Sequence, residues 1–170
     1  MSWFASDKLI KQIRVELDQL SRLLQENQAL LDKAEQDEPS KVEISALATV
    51  LHSFYTGAEN IFGRIYTEMH GQKASGEAWH KNLLQAMARE ANGVAPVISQ
   101  DLCEILSEYL TFRHVFRQAY TFEMQWDKMK PLVLTCAPAL KQLMAEFSAR
   151  FSLNDKSGTS ENHQDRPDCF

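Results

Sequence analysis

The fold of this chain is decided by the stretch Ser99-Gln-Asp-Leu-Cys-Glu-Ile-Leu-Ser-Glu-Tyr-Leu-Thr-Phe-Arg-His-Val-Phe-Arg-Gln-Ala-Tyr120. Ser99 can cap the N-terminus of a helix, and Asp101 places a negative charge in its first turn. The stretch therefore predicts an amphipathic helix with one buried face. The apolar residues that recur with the helical period of 3.6 are Leu102, Leu106, Tyr109, Phe116 and Tyr120.

One charged residue, Arg113, falls on the apolar face of this helix. At 100° per residue, Arg117 and Tyr120 lie within about 60° of it. His114 and Gln118 form an adjacent polar strip. A guanidinium at the margin of a core is costly unless it is paired or hydrated. Two interpretations stay open: Arg113 reaches solvent or a nearby carboxylate, or it faces a phosphate or a partner chain.

Length and composition predict one globular domain, residues 1–152, followed by a disordered polar tail at 153–170. Of the 170 residues, 44% are hydrophobic and 24% are charged, which is ordinary for a globular protein. The net charge of −5 argues against a broad surface that coats nucleic acid, but it allows a small basic site. We see no apolar run of about 18 residues and no signal peptide, so we expect a cytoplasmic protein without a membrane segment.

Two long helices are expected in the N-terminal part of the chain. Apolar residues follow a heptad spacing over Ser6–Gln36, with Asn27 in one seam position as a register device or a solvated end. This helix can pack in an ordinary bundle or pair with another chain. After a break that contains proline, Ser40 and Glu43 form a capping box for a second helix, which stops near Gly71. The short polar link predicts that the two helices are antiparallel.

The rest of the chain predicts three more helices. A shorter helix runs from Ser75 through Glu90, with His80 on its surface. The helix that contains Arg113 follows, and Asp127 then caps the last helix, which Pro138 should kink or break. The preceding turn leaves Trp126 exposed. The expected fold is an all-α, up-and-down bundle of about five helices.

No metal or cofactor site is predicted. Cys103, Cys136 and Cys169 are odd in number and widely spaced, unlike the ligands of a zinc site. The first two fit helical patterns as small, reduced core residues. No second His or carboxylate lies four residues after His52, which disfavours a metal site on its helix. Glu59 sits among apolar neighbours and is a candidate carboxylate partner for Arg113.

The end of the stretch quoted first resembles the signature of the HepT-like proteins, a branch of the HEPN superfamily. That signature is Arg, a polar residue, three further residues, His, any residue and Tyr. Here it is Arg113-His-Val-Phe-Arg-Gln-Ala-Tyr120, with Gln118 at the position of the signature His. The resemblance spans roughly residues 42 to 144. Flanking stretches that also resemble these relatives are Glu59-Asn60-Ile61-Phe62, Trp79-His80, Met87-Ala88-Arg89-Glu90 and Pro96-Val97-Ile98-Ser99.

This resemblance implies a HEPN-like bundle that forms a homodimer, with the two signature helices facing each other across one composite site. It implies metal-independent cleavage of RNA, in which the Arg holds the phosphate and the His transfers protons. It also implies an MNT-type nucleotidyltransferase antitoxin that attaches AMP to the signature Tyr. The implied site residues are Arg113, His114 and Gln118 for catalysis and Tyr120 as the AMP acceptor. Arg117, from its place on the helix, and Glu59, from its apolar neighbours, are the supporting candidates.

Gln118 leaves the function open, because an amide does not exchange protons at pH 7. His114 could substitute, although it points about 100° away from Arg113 on the helix. The chain is then either a HepT-like toxin component with full or weakened ribonuclease activity, or a non-catalytic helical dimer. That dimer would bind the nucleotidyltransferase and be modified by it. A plain helical interaction module is the third possibility.

Overall fold

The computed structural model describes residues 3–153, and every regular element in this part of the chain is a helix. The predicted all-α bundle is therefore confirmed. Beyond Leu153, the predicted tail, with Cys169, lies outside the described residues. None of the described helices has the length and apolarity needed to cross a bilayer. The elements are α1 (Asp7–Glu26), α2 (Gln28–Gln36), α3 (Lys41–His70), α4 (Trp79–Met87), α5 (Gln100–Gln118), a 3₁₀ helix (Thr121–Glu123) and α6 (Trp126–Phe151).

Helix α3 is the centre of the bundle, and the other five α-helices all pack against it. It buries residues on more than one face because neighbours surround it. Helix α1 comes so close at Gly57 that a Cβ there would lie 2.5 Å from the side chain of Leu20. At the C-terminus of α3, Gly71 adopts a φ of 70°, the left-handed conformation that the predicted C-cap requires. The buried apolar side chains of α3 include Leu47, Leu51, Phe54, Tyr55, Ile61, Phe62 and Ile65.

Helices α1 and α2 run antiparallel to α3, as the short polar link predicts. Ser6, at the start of α1, contacts Glu68 near the end of α3. At the other end, Lys33 of α2 donates a 2.6 Å hydrogen bond to Glu43. The predicted capping box of α3 is present, since Ser40 and Glu43 exchange hydrogen bonds. Together the bond from Lys33 and those from Ser40 lower the pKa of Glu43 to about 2.

The single helix predicted from Ser6 to Gln36 is divided at Asn27, and this raises the number of α-helices within residues 3–153 to six. Asn27 has φ −106° and ψ 10°, outside the helical region, and it both ends α1 and precedes α2. Its side-chain amide donates a 2.8 Å hydrogen bond to the carbonyl of Leu23. An asparagine that bonds the backbone in this way competes with the helical ladder. The heptad pattern did not reveal this competition.

Helix α4 is shorter than predicted. It begins at Trp79 rather than after Ser75, and it ends at Met87 rather than Glu90. The carbonyl of Met87 accepts hydrogen bonds from the backbone N–H groups of both Val97 and Ile98, at 2.7 and 3.1 Å. These bonds replace a further helical turn and join the end of α4 to the segment before α5.

Helix α6 differs from the prediction at its start and at its second proline. It begins at Trp126, so Asp127 lies in the first turn rather than at the cap. Trp126 is buried, not exposed. Pro138 does not break the helix, which continues to Phe151. Because Pro138 is exposed, water can satisfy the carbonyl that loses its usual donor.

Two helices have an N-cap serine that is hydrogen-bonded to a glutamate far away in the sequence. The carboxylate of Glu68 accepts hydrogen bonds of 2.7 Å from both the backbone N–H and the hydroxyl of Ser6. Glu146 of α6 makes the same pair of 2.7 Å bonds with Ser99 at the start of α5. Each serine hydroxyl in turn accepts from the backbone three residues later. The carboxylates therefore fix where α1 and α5 start relative to α3 and α6, and we call these contacts the serine–glutamate clamps.

We predict that Glu146→Ala lowers the free energy of unfolding by about 1–2 kcal/mol, because it removes two hydrogen bonds from an N-cap residue. Urea denaturation followed by circular dichroism measures the change. Glu108→Ala, which removes an exposed carboxylate of α5, is the matched control and should cost less than about 0.5 kcal/mol. Equal losses in the two variants would show that the clamp does not stabilise α5.

Candidate functional site

Three helices bring together a carboxylate, an imidazole and a guanidinium. Glu59 lies in the middle of α3, His80 in the first turn of α4 and Arg113 in the second half of α5. Glu59 Oε2 lies 2.7 Å from His80 Nδ1, and Glu59 Oε1 lies 3.6 Å from Arg113 Nη2. Arg113 Nη1 lies 3.4 Å from His80 Nδ1. We call these three residues the Glu59 cluster.

The distances assign the proton on the imidazole of His80. An ionised carboxylate only accepts hydrogen bonds, and the carboxylate of Glu59 also contacts the guanidinium of Arg113. At 2.7 Å, Nδ1 of His80 must therefore carry the hydrogen that it donates to Glu59. Nδ1 then has no lone pair for Arg113, so the 3.4 Å approach is a contact between two donors that share one carboxylate. In the neutral ring, the lone pair is on Nε2.

The cluster is enclosed by the bundle. Among the described residues, Glu59 is the one charged residue that is buried, with 6% of its surface exposed. The side chains of Arg113 and His80 are 12% and 16% exposed. Burying a carboxylate in an apolar core is unfavourable unless opposite charges and hydrogen bonds compensate it. Arg113 and His80 supply that compensation, one from each of two neighbouring helices.

Aromatic rings hold the imidazole of His80 in place. The indole of Trp79 stacks on it, with ring centroids 3.6 Å apart and planes inclined by 28°. His114 of α5 meets it edge to face at 5.9 Å. With Nδ1 bonded to Glu59 and one face against the indole, the ring has little freedom to turn. A fixed imidazole with a defined tautomer can transfer a proton at Nε2.

Two other polar side chains near the cluster have shifted pKa values. Burial, then the charge of Glu59, raises the pKa of Tyr55, so its hydroxyl stays protonated. Burial lowers the pKa of His52, and the charges of Arg113 and Arg117 lower it further. His52 is therefore neutral at pH 7. The described residues offer no hydrogen-bond partner to the Tyr55 hydroxyl or to Nδ1 of His52.

The six residues predicted for the site fall into three groups. Glu59 and Arg113 come together, as the pairing proposed for them requires. His114, Arg117 and Gln118 are exposed on α5, and the described hydrogen bonds of the cluster do not include them. The sixth residue, Tyr120, lies beyond the end of α5.

Tyr120 is exposed rather than part of the core. Its relative exposure is 71%, and its ring stacks on the equally exposed Phe122 at 5.3 Å with planes only 7° apart. Val115, one turn earlier, is also exposed. The end of α5 thus presents apolar surface to solvent, next to the charge of Arg117. We call Val115, Tyr120 and Phe122 the terminal aromatic patch.

The prediction that His80 lies on the surface is wrong, because its side chain is only 16% exposed. Leu83, Leu84 and Met87 are the buried residues of α4. His80 precedes them by three, four and seven residues, the spacing of one helical face. This spacing was sufficient to predict that His80 faces the core, where a buried imidazole needs a partner.

A pocket of about 770 Å³ borders the cluster, between α1, α3, the start of α4 and the segment before α4. Glu59 and Trp79 contribute to its wall, together with three cationic residues, Lys8, Arg64 and Lys73. The carboxylate of Glu68 lines it as well, so its wall carries charges of both signs beside the indole of Trp79. Among residues 3–153, no group of three or more His, Cys, Asp or Glu side chains is arranged to hold a metal ion.

Comparison with protein families gives one match that bears on this site. A family model described as HepT-like protein matches residues 46–152, which is more than half of the chain. The match includes all three residues of the Glu59 cluster and Tyr120. Comparisons with the curated proteins and with the solved structures gave no significant match.

We predict that Glu59 and Arg113 are energetically coupled. Glu59→Leu should lower the free energy of unfolding by about 3 kcal/mol, because it leaves the guanidinium enclosed without its carboxylate. Arg113→Leu in the same protein should cost less than it does alone, giving a coupling energy of about 1–3 kcal/mol. Urea denaturation of the four proteins measures it.

The exposed pair Arg22 and Glu26, 3.5 Å apart on α1, provides the control cycle. Its coupling energy should stay below about 0.5 kcal/mol, because solvent screens the two charges. If the Glu59–Arg113 cycle gives a value no larger than this, the cluster does not hold Arg113 in the way its geometry indicates.

Proposed function

This chain belongs to the HepT-like protein family of the HEPN superfamily, and we propose from this premise that it is the toxin component of a toxin–antitoxin module. In this proposal it acts as a metal-independent endoribonuclease. The observation that supports the proposal is the arrangement of Arg113, which holds the first position of the family signature and lies in a buried, paired cluster rather than at a solvated surface. Enclosed ionisable groups of this kind are concentrated at functional sites.

Arg113 is proposed to bind the scissile phosphate of RNA. A guanidinium presents several N–H donors in a fixed plane and stabilises the charge that develops on phosphate oxygens during cleavage. Glu59 holds this group on one side, which limits the positions that it can take. Arg117, exposed one turn later on α5, adds a second positive charge for the RNA backbone.

We further propose that the chain acts as a homodimer through the end of α5. The terminal aromatic patch exposes Tyr120 and Phe122 almost completely, at 71% and 73%. Apolar surface of this kind is typical of contact sites between proteins. A twofold arrangement of α5 would bring two copies of Arg113 toward one composite site.

We predict that the purified protein cleaves single-stranded RNA in the presence of EDTA. Arg113→Ala should lower kcat/KM by about 10²–10³, because it removes the proposed stabilisation of the phosphate charge. Cleavage of a fluorescently labelled oligoribonucleotide, resolved by gel electrophoresis, gives the rates. Arg22→Ala, which changes an exposed arginine of α1, is the control. Absence of cleavage by the unmodified protein, or cleavage that does not depend on Arg113, would contradict the ribonuclease assignment.

The second candidate function is that of a substrate for a nucleotidyltransferase antitoxin. The observation that favours it is the exposure of Tyr120, whose ring lies outside the core. A phenol in this position can reach the active site of another protein, and its stacking on Phe122 limits its motion. This function needs no imidazole at position 118. Modification of Tyr120 and ribonuclease activity can belong to one protein. An AMP group on Tyr120 would add negative charge close to Arg117 and so oppose the binding of RNA there.

We predict that a nucleotidyltransferase encoded next to the gene of this protein attaches AMP to Tyr120. Incubation of the two proteins with ATP and Mg²⁺ should increase the intact mass by one or more AMP groups. Tyr120→Phe should abolish the increase, whereas Tyr66→Phe, a change in a half-buried tyrosine of α3, should not. A mass increase that persists in Tyr120→Phe would place the modification elsewhere.

A further inference from the structure

We infer that His80 is the proton-transferring residue of the RNA cleavage, and that Glu59 is its positioning residue. The inference rests on the proposed ribonuclease function. It moves the acid–base group from α5, where the signature would place it, to α4. The site then consists of Arg113 for the phosphate and His80 for the proton, both held by one carboxylate.

A proton-transferring residue is required because residue 118 of this chain is a glutamine. Cleavage of RNA without a metal begins when the ribose 2′-hydroxyl loses its proton and attacks the neighbouring phosphorus. General acid–base catalysis of such a step contributes about 10²–10⁴ to the rate, and a neutral amide cannot provide it at pH 7. Gln118 is also exposed on α5, outside the hydrogen bonds of the Glu59 cluster.

Three imidazoles lie around Arg113, and the geometry favours one of them. His52 is stacked on Phe116 at 4.7 Å, and burial and two arginines lower its pKa, which makes it a weak base. His114 is exposed, and the described part of the chain gives it no carboxylate partner. His80 lies 3.4 Å from the guanidinium and is bonded to a carboxylate.

The bond to Glu59 gives His80 the properties of a catalytic base. A carboxylate that accepts from Nδ1–H keeps the lone pair on Nε2 and stabilises the ring when Nε2 takes up a proton. The 2.7 Å distance is short, as expected when the acceptor is charged. Stacking on Trp79 further restricts the ring. Glu59 thus orients both functional groups, because its other oxygen faces Arg113.

The proposed step conserves atoms and charge. Nε2 of His80 takes the proton of the 2′-hydroxyl while the 2′ oxygen forms a bond to phosphorus. The bond from phosphorus to the 5′ oxygen breaks, and that oxygen takes a proton from water. His80 returns its proton to the hydroxide so formed. The products are a 2′,3′-cyclic phosphate and a free 5′-hydroxyl, and no oxidant, reductant or metal is consumed.

The charged and titratable groups that face His80 come from two helices. Glu59 of α3 lies 2.7 Å from its Nδ1, Arg113 of α5 lies 3.4 Å from the same atom, and the ring of His114 meets it edge to face. Because cleavage requires the neutral ring, the rate should fall on the acidic side of the pH profile as His80 becomes protonated. Replacing His80 should remove this dependence on pH. If His80 had a purely structural role, the shape of the pH profile would stay the same in the variant.

The experiment measures cleavage of a labelled oligoribonucleotide in EDTA by the full chain and by single variants. His80→Gln should lower kcat by about 10²–10⁴ with little change in KM, and it should flatten the acidic limb of the pH profile. Glu59→Gln should lower kcat by a smaller factor. Added imidazole should restore part of the activity of the His80→Ala variant, but it should restore no activity to the Arg113→Ala variant. His70→Gln, at the exposed end of α3, is the matched control.

The outcomes separate this inference from the function on which it rests. If the unmodified protein does not cleave RNA, both fail. If cleavage depends on Arg113 but His80→Gln keeps kcat within about threefold, only the inference fails. The same holds if the loss follows His52→Gln, His114→Gln or Gln118→Ala instead. Circular dichroism and thermal unfolding check that each variant folds, and rescue by imidazole shows that a folded site lacks only its base.

Discussion

The buried carboxylate of Glu59 is the interaction on which the centre of this structure depends. It lies in the middle of α3, the helix against which all the others pack, and it is compensated from α4 and from α5. If Arg113 moved away, the carboxylate would be left without an opposite charge in an apolar environment, at a cost of several kcal/mol. If His80 moved away, the carboxylate would lose a 2.7 Å hydrogen bond. The relative positions of the three helices are therefore constrained by electrostatics as well as by packing. The same constraint places an imidazole and a guanidinium side by side.

Helix α5 serves two purposes along its length. Its first turns pack into the core, and its middle carries Arg113 into the Glu59 cluster. Its last turn and the 3₁₀ helix that follows turn Arg117, Tyr120 and Phe122 to solvent. The proposed reactive centre and the proposed contact surface are thus fewer than ten residues apart in the chain, at the end of α5 and in the 3₁₀ helix that follows it. A partner that covers the end of the helix would also control access to the centre, which fits the proposed relation between a toxin and its antitoxin.

The helices could be predicted from the sequence because their signals are local. The capping box at Ser40, the cap at Ser99 and the left-handed end at Gly71 were all found as predicted. The division at Asn27 was not, because a side-chain hydrogen bond to the preceding turn outweighs a regular apolar pattern. The extent of α4 was also wrong, since bonds from the segment before α5 determine where it ends.

The site could be predicted only in part. Arg113 was identified because a charge on an apolar face is visible in a single helix, and Glu59 because it interrupts apolar neighbours. The role of His80 depends on a contact between α3 and α4 across 21 residues of chain, which no local pattern encodes. Its position on the buried face of α4 was readable, but its partner became clear only once the helices were assembled.

The serine–glutamate clamps bear on how this bundle can move. Packed helices often change state by sliding past each other, by as much as one turn of about 5.4 Å. Glu68 and Glu146 each hold the N-cap serine of a helix by two hydrogen bonds, so axial sliding of α1 or α5 would break both bonds of a clamp together. Regulation by a register shift is thus disfavoured here. A signal that reaches this protein would act by rotation, by covering the end of α5, or by releasing a clamp.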